Sequence, residues 1–218
     1  MTPEDHGSQE SYAIEDEAQL RALFGERHPL AIKKQLDVID RHGRDFLARS
    51  PFVCLSTQGA DGRADVSPRG DPAGFVKVLD ERTLAIPDRP GNNRLDSLTN
   101  ILANPSVGLL FLIPGYDDTY RVNGRARLTR DPALLAEMEV NGRQPKLAIV
   151  IAVEETFLHC AKAFRRSKLW DPDARRDRKE MPSLARIILD QVNERPAEEA
   201  EMQKIDRELE EDYKKSLY

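Results

Sequence analysis

Residues 52–67 read FVCLSTQGADGRADVS, and this stretch decides the fold class. Phe52–Thr57 is short, apolar and rich in residues that favour strands. Gln58–Gly62 (QGADG) is a turn, and Arg63–Ser67 resumes as a strand. Two such runs about a short glycine-containing turn make a β-hairpin. The pattern continues downstream. Phe75–Leu79 and Thr83–Ile86 read as strands joined by the polar turn Asp80–Arg82. Val107–Ile113 is an apolar strand, Tyr120–Leu128 alternates, and Leu147–Phe157 is a long strand. Hairpin-linked strands with few helices between them favour an antiparallel barrel over a doubly wound sheet.

Helical spacing flanks and interrupts the strands. Ile14, Ala18, Leu20, Leu23 and Phe24 form one stripe, and Leu36, Ile39, Phe46 and Leu47 form a second that Pro51 ends. Asn93–Leu102 places Leu95, Leu98, Ile101 and Leu102 on one face, and Pro132–Val140 is a short helix. After Cys160 the chain becomes charge-dense over Lys162–Lys179. Ser183–Gln191 is then a helix with Leu184, Ile187 and Ile188 as its apolar face. Pro196 starts a last helix carrying Met202, Ile205, Leu209 and Tyr213. The organisation expected is a disordered start (residues 1–12), helices (13–50), a β domain (51–172) and a helical extension (173–218).

The chain has 218 residues, with 33 Lys+Arg against 38 Asp+Glu, a net charge of −5. That balance disfavours a globally basic nucleic-acid binder and leaves room for a local basic patch. The two cysteines, Cys54 and Cys160, make no CxxC, and two free thiols point to a reducing compartment. No apolar run approaches the roughly 18 residues of a membrane helix. The first basic residue is Arg21, behind an acidic segment, so no signal peptide is expected. A soluble, cytoplasmic protein is the expectation.

Among motifs, GxGxxG, the Walker P-loop, HExxH and GxSxG are all absent, and the four histidines have no metal-ligand spacing. His159 and Cys160 are adjacent on a strand and so face opposite sides, which makes them a structural pair. Three segments could carry chemistry. Asp65–Phe75 (DVSPRGDPAGF) is a rigid turn with Arg69 as a bidentate donor, suited to a phosphate or planar anion. It reads equally well as a tight loop with Arg69 paired to Asp71. Ile86–Pro105 (IPDRPGNNRLDSLTNILANP) ends a strand and begins a helix near Asn92 or Asn93. Arg89 and Arg94 flank that helix start, which makes a phosphate seat or simply an Asn cap with surface arginines. Cys160–Trp170 (CAKAFRRSKLW) sets Phe164 and Trp170 among four basic residues, as in single-strand nucleic-acid binders, solvated helix faces or flavin sites.

Taken together, the blocks VSPRGDPAGF (Val66–Phe75), IPDRPGNNRLDSLTNILANP (Ile86–Pro105), RVNGRA (Arg121–Ala126) and KAFRRSKLW (Lys162–Trp170) resemble the FMN-binding split-barrel proteins of the pyridoxamine 5′-phosphate oxidase-like family. The resemblance spans roughly Pro51–Pro172. It implies a mainly β fold with flanking helices, a six-stranded antiparallel split β-barrel that forms a homodimer with FMN in clefts at the interface. Carried over by position, Ser67 and Arg69 would line the flavin, and Asn93, Arg94 and Ser97 would hold its phosphate. Arg94 stands in for an Arg-Lys pair that aligns near Asp96–Ser97. Lys162, Arg165, Ser167 and Trp170 would come from the partner subunit. The arginine-containing segment that grips the substrate phosphate in pyridoxamine phosphate oxidases has no match before Tyr218.

The function implied is a flavin-dependent oxidoreductase of a small molecule, with NAD(P)H a possible electron donor. A protein that carries FMN or another planar anion without turnover is the alternative. An RNA or single-strand binder acting through residues 162–179 ranks last, because Asp171, Asp173 and Asp177 dilute that patch.

Overall fold

The computed structural model describes residues 12–192 and 199–218. The disordered start expected over residues 1–12 lies outside the described residues except for Tyr12, and the Pro196 helix start lies outside them entirely. The chain divides into two compact units, residues 1–34 and 35–218. In the first, helix α1 (Glu17–Ala22) is capped by the Asp16 carboxylate and helix α2 (Pro29–Lys33) by the His28 ring nitrogen. α1 is shorter than the apolar spacing predicts, α2 lies outside both predicted stripes, and no residue of either helix is buried within the described structure.

The second unit is built on one antiparallel sheet. Its strands are β1 (Phe52–Gln58), β2 (Ala64–Gly70), β3 (Lys77–Val78), β4 (Thr83–Pro87), β5 (Ser106–Leu112), β6 (Thr119–Thr129) and β7 (Ala148–His159). Their order is β2-β1-β5-β6-β7-β4-β3. Helices α3 (Arg41–Arg49), α4 (Asp96–Ala103), α5 (Pro132–Glu137), α6 (Lys162–Ser167), α7 (Leu184–Val192) and α8 (Glu199–Ser216) flank it. This is the mainly β architecture with flanking helices that the hairpin pattern predicts.

Two details differ from the expected six-stranded barrel. There are seven strands, and the edge strands β2 and β3 do not pair with each other, so the sheet is open. β3 is only two residues long because the apolar run around it splits its roles: Phe75 and Val76 turn into the core before the strand begins.

Alternation explains the packing. Val53 and Leu55 of β1, Val107, Leu109 and Phe111 of β5, and Tyr120 and Val122 of β6 all point inward. Phe46 and Leu47 of α3 and Leu98 and Ile101 of α4 join the same core. β4 is buried on both faces. Leu84 and Ile86 enter the main core, while Ala85 meets Leu135 and Met138 in a second cluster. The second helical stripe is broken in the structure. Leu36 exchanges both backbone hydrogen bonds with Thr156 instead of continuing into α3, and the Asp40 carboxylate caps α3 at Gly43. In α7, Ala185 is the buried residue, whereas the predicted face residues Leu184 and Ile188 are exposed. No helix among the described residues is long and apolar enough to cross a membrane.

Candidate functional site

β2 presents Asp65, Ser67 and Arg69 to the side covered by α4, with Val66 and Pro68 facing outward. A hydrogen-bond relay fastens strand to helix. The Ser67 and Ser97 hydroxyls are 2.9 Å apart, Ser97 donates to Asp65 Oδ2 at 2.9 Å, and Asn100 donates to Thr57 at 3.0 Å. A hydroxyl has one proton to give. Ser97 gives its proton to Asp65, so Ser67 gives its own to Ser97. Both serines thereby tie β2 to α4 at the floor of a cleft.

That cleft has a volume of about 1160 Å³ and is walled by β2, by residues 87–98 and by residues 143–147. Arg69 lies in it, and its Nε is buried with no hydrogen-bond partner among the described residues. Opposite it, burial pushes the Asp88 carboxyl above its ordinary value, against the pull of the Arg69 and Lys146 charges.

α4 begins three residues later than its sequence pattern predicts. Asn93 (φ 58°) and Leu95 (φ 61°) both take the left-handed conformation, which asparagine tolerates and leucine rarely adopts. The N-cap is Leu95, which has no capping side chain, so among the described residues the first-turn N–H groups of Asp96, Ser97 and Leu98 carry no side-chain cap. Asn92 accepts from the Arg94 N–H at 3.1 Å and does not cap the helix. Arg94 lines the rim of the cleft and pairs with Asp96 at 2.8 Å in a largely exposed contact. Strained backbone of this sort is concentrated at functional loops.

The two turn-rich sequence blocks are joined by an ion pair that sequence reasoning missed. Asp71 pairs with Arg89 at 2.6 Å, not with its near neighbour Arg69, and Arg89 also donates to the Met138 carbonyl at 2.7 Å. Tyr218 donates its phenol proton to the other Asp71 oxygen at 2.8 Å. Its ring lies 5.4 Å from the Arg89 guanidinium. Arg143 donates to the main-chain oxygen of Tyr218. Arg89, Arg143, Lys146 and Tyr218 therefore belong to the cleft. Asp71 and Arg89 at least stand in conspicuous blocks, whereas Tyr218 carries no local signal.

The structure thus brings Ser67, Arg69, Asn93, Arg94 and Ser97 to one cleft. Lys162, Arg165, Ser167 and Trp170 do not line it. They sit on and after α6, where Trp170 donates to the Tyr116 carbonyl at 2.7 Å and stacks on Phe164 at 5.9 Å. Arg165 pairs with Asp117, Ser167 bonds its own helix through the Phe164 carbonyl, and Lys162 opens α6. Arg176 is likewise paired with Glu180, so part of the charge of residues 162–179 is internally matched.

Residues 39–160, more than half of the chain, match the family model described as pyridoxamine 5′-phosphate oxidase. The chain belongs to this family. No curated protein matches it. Among solved structures, HupZ of Group A Streptococcus is 20% identical over 55% of this chain and 93% of its own, with a TM-score of 0.46. A putative pyridoxamine 5′-phosphate oxidase from Lactobacillus delbrueckii is 22% identical over 57% and 98%, with a TM-score of 0.44. An FMN-binding protein from Syntrophomonas wolfei is 12% identical over 60% and 91%, with a TM-score of 0.41. In this pyridoxamine 5′-phosphate oxidase-family chain the matched segment contains every strand of the sheet and the α4 side of the cleft, and it ends before α6.

Proposed function

We propose that this chain binds FMN in the β2–α4 cleft and works as a flavin-dependent oxidoreductase on a small molecule, as a homodimer. The observation that carries the reading is an uncapped helix start and a buried Arg69 donor without a hydrogen-bond partner among the described residues, in one cleft with room for a flavin. These features fit an anionic, planar group. The α4 backbone N–H groups and Arg94 would take the phosphate. The buried Arg69 nitrogen would face the ring. A bound flavin supplies the hydride chemistry, and the chain supplies binding, orientation and charge.

The purified protein should be yellow or take up FMN one-to-one by calorimetry, and a colourless protein that ignores added FMN would sink the reading. NADH or NADPH should bleach the flavin absorbance. If neither does, the chain is an FMN carrier rather than an enzyme.

Arg94→Ala should weaken FMN by about tenfold or more, the loss of one charge-assisted hydrogen bond, with riboflavin little changed. Equal losses for the two flavins would place Arg94 in folding rather than in phosphate binding.

The basic α6 arm lies outside its own cleft, which supports a role over the cleft of a second copy. Mixing Arg94→Ala with Lys162→Ala chains tests this. A hybrid dimer gathers both defects in one site and leaves the other intact. Random mixing makes about half the dimers hybrid, so roughly a quarter of all sites should recover FMN. No recovery despite verified subunit exchange would reject the shared site.

A further inference from the structure

The α7–α8 extension is unexplained by the family match, which ends at residue 160. Leu184, Ile188, Val192, Tyr213 and Leu217 on it are all exposed. Met202 of α8 is buried, but the stripe that follows it emerges progressively, from half-buried Ile205 and Leu209 to exposed Tyr213. Beyond α8, at residue 218, the chain becomes tightly engaged again. There the Tyr218 phenol reaches an Asp71 carboxylate whose side chain is only 1% exposed, and its ring covers the Arg89 guanidinium. A phenol on the second oxygen of a buried carboxylate is a built contact, because it supplies a donor to an oxygen that water scarcely reaches in the folded chain. The cation-to-ring distance falls within the range of an attractive contact.

We propose that Tyr218 is a positioning residue of the cleft: it latches the α7–α8 extension onto the Asp71–Arg89 pair and is itself the wall that this extension gives the ligand site. Docking of the extension and binding of a planar anionic ligand then strengthen each other, since a wall already in place need not be ordered when the ligand arrives. Tyr218 also holds the face of Arg89, so the ligand meets that cation in one orientation. The hydrogen bond to Asp71, helped by burial, raises the phenol above its ordinary value and keeps it a proton donor. The latch stands on the geometry alone. Its coupling to ligand rests on the FMN reading proposed above.

Hydrogen exchange of the full-length protein with FMN as the probe tests both parts, using wild type, Tyr218→Phe and Tyr218→Ala. Exchange across α8 should rise by about tenfold or more in Tyr218→Ala, and part-way in Tyr218→Phe, which keeps the ring and loses the phenol bond. The exchange of β1, β5 and β6 should be unchanged in all three and reports that the sheet is folded. FMN should slow α8 exchange in wild type and not in Tyr218→Ala, and Tyr218→Ala should bind FMN several-fold more weakly.

Equal α8 exchange in wild type and Tyr218→Ala would overturn the latch. Faster α8 exchange on adding FMN would overturn the wall, because Tyr218 would then be a competing occupant of the cleft. Faster exchange in Tyr218→Ala together with no FMN binding to wild type would support the latch and remove the FMN reading alone.

Discussion

Asp71→Ala is expected to lower unfolding free energy by about 3–5 kcal/mol, the cost of stripping one partner from a buried ion pair. The Asp71 side chain is 1% exposed and that of Arg89 13%. Removing the carboxylate leaves the Arg89 charge with the Met138 carbonyl and the Tyr218 ring and deprives the Tyr218 phenol of its acceptor. Asp71→Asn should cost less, because the amide keeps the volume and one acceptor while losing the charge. Arg63→Ala breaks an ion pair of nearly the same length, 2.9 Å, whose side chains are 88% and 55% exposed. It should stay within about 1 kcal/mol of wild type, because water already screens that pair. Urea titrations of the three variants at constant m-value decide the matter. An Asp71→Ala loss as small as that of Arg63→Ala would mean that the two turn blocks are not joined by this pair.

The sheet was legible because alternation is a local property. Val53, Leu55, Val107, Leu109 and Phe111 are buried at every second position, as their sequence predicts. The start of α4 was not legible. Leu95 keeps helical spacing with Leu98, yet its φ of 61° places it outside the helix and it is exposed. Periodicity records where apolar residues recur and is blind to a left-handed turn between them. Leu36 fails in the same way, since its pairing with Thr156 joins residues far apart in sequence.

Within the site, the blocks containing Ser67, Arg69, Asn93, Arg94 and Ser97 were found by composition, and the structure gathers them in one cleft. What each does was less legible. Ser97 bonds Asp65 and Ser67 bonds Ser97, and Asp71 chooses Arg89 over the nearer Arg69. These choices depend on which side chain the fold leaves facing which cavity. Tyr218 lies 147 positions from Asp71, and no window of sequence contains both.

Gly124→Ala is expected to cost about 3 kcal/mol or more, at the upper end of overpacking in a closed core. A Cβ at residue 124 would stand 2.1 Å from the Ala152 carbonyl oxygen and 3.1 Å from the Ile151 Cγ2. The backbone of residue 124 is not in the left-handed region, so collision rather than torsional strain sets the cost. β7 cannot retreat to make room. Ala152 is paired with Arg125 of β6 on one side and with Thr83 of β4 on the other, so any shift breaks a ladder. The register slip between Asn123 and Gly124 is the local expression of this close approach.

Gly108→Ala is the matched control. It lies on neighbouring β5, directly across from Asn123, and its new Cβ would meet the Asn123 Oδ1 at 3.4 Å and the Ser56 Cβ at 3.8 Å, distances of ordinary contact. It should change stability by less than about 1 kcal/mol. Thermal unfolding should therefore separate two glycine substitutions on adjacent strands by a wide margin. Equal melting temperatures would show that β6 and β7 stand further apart at residue 124 than the bulge requires.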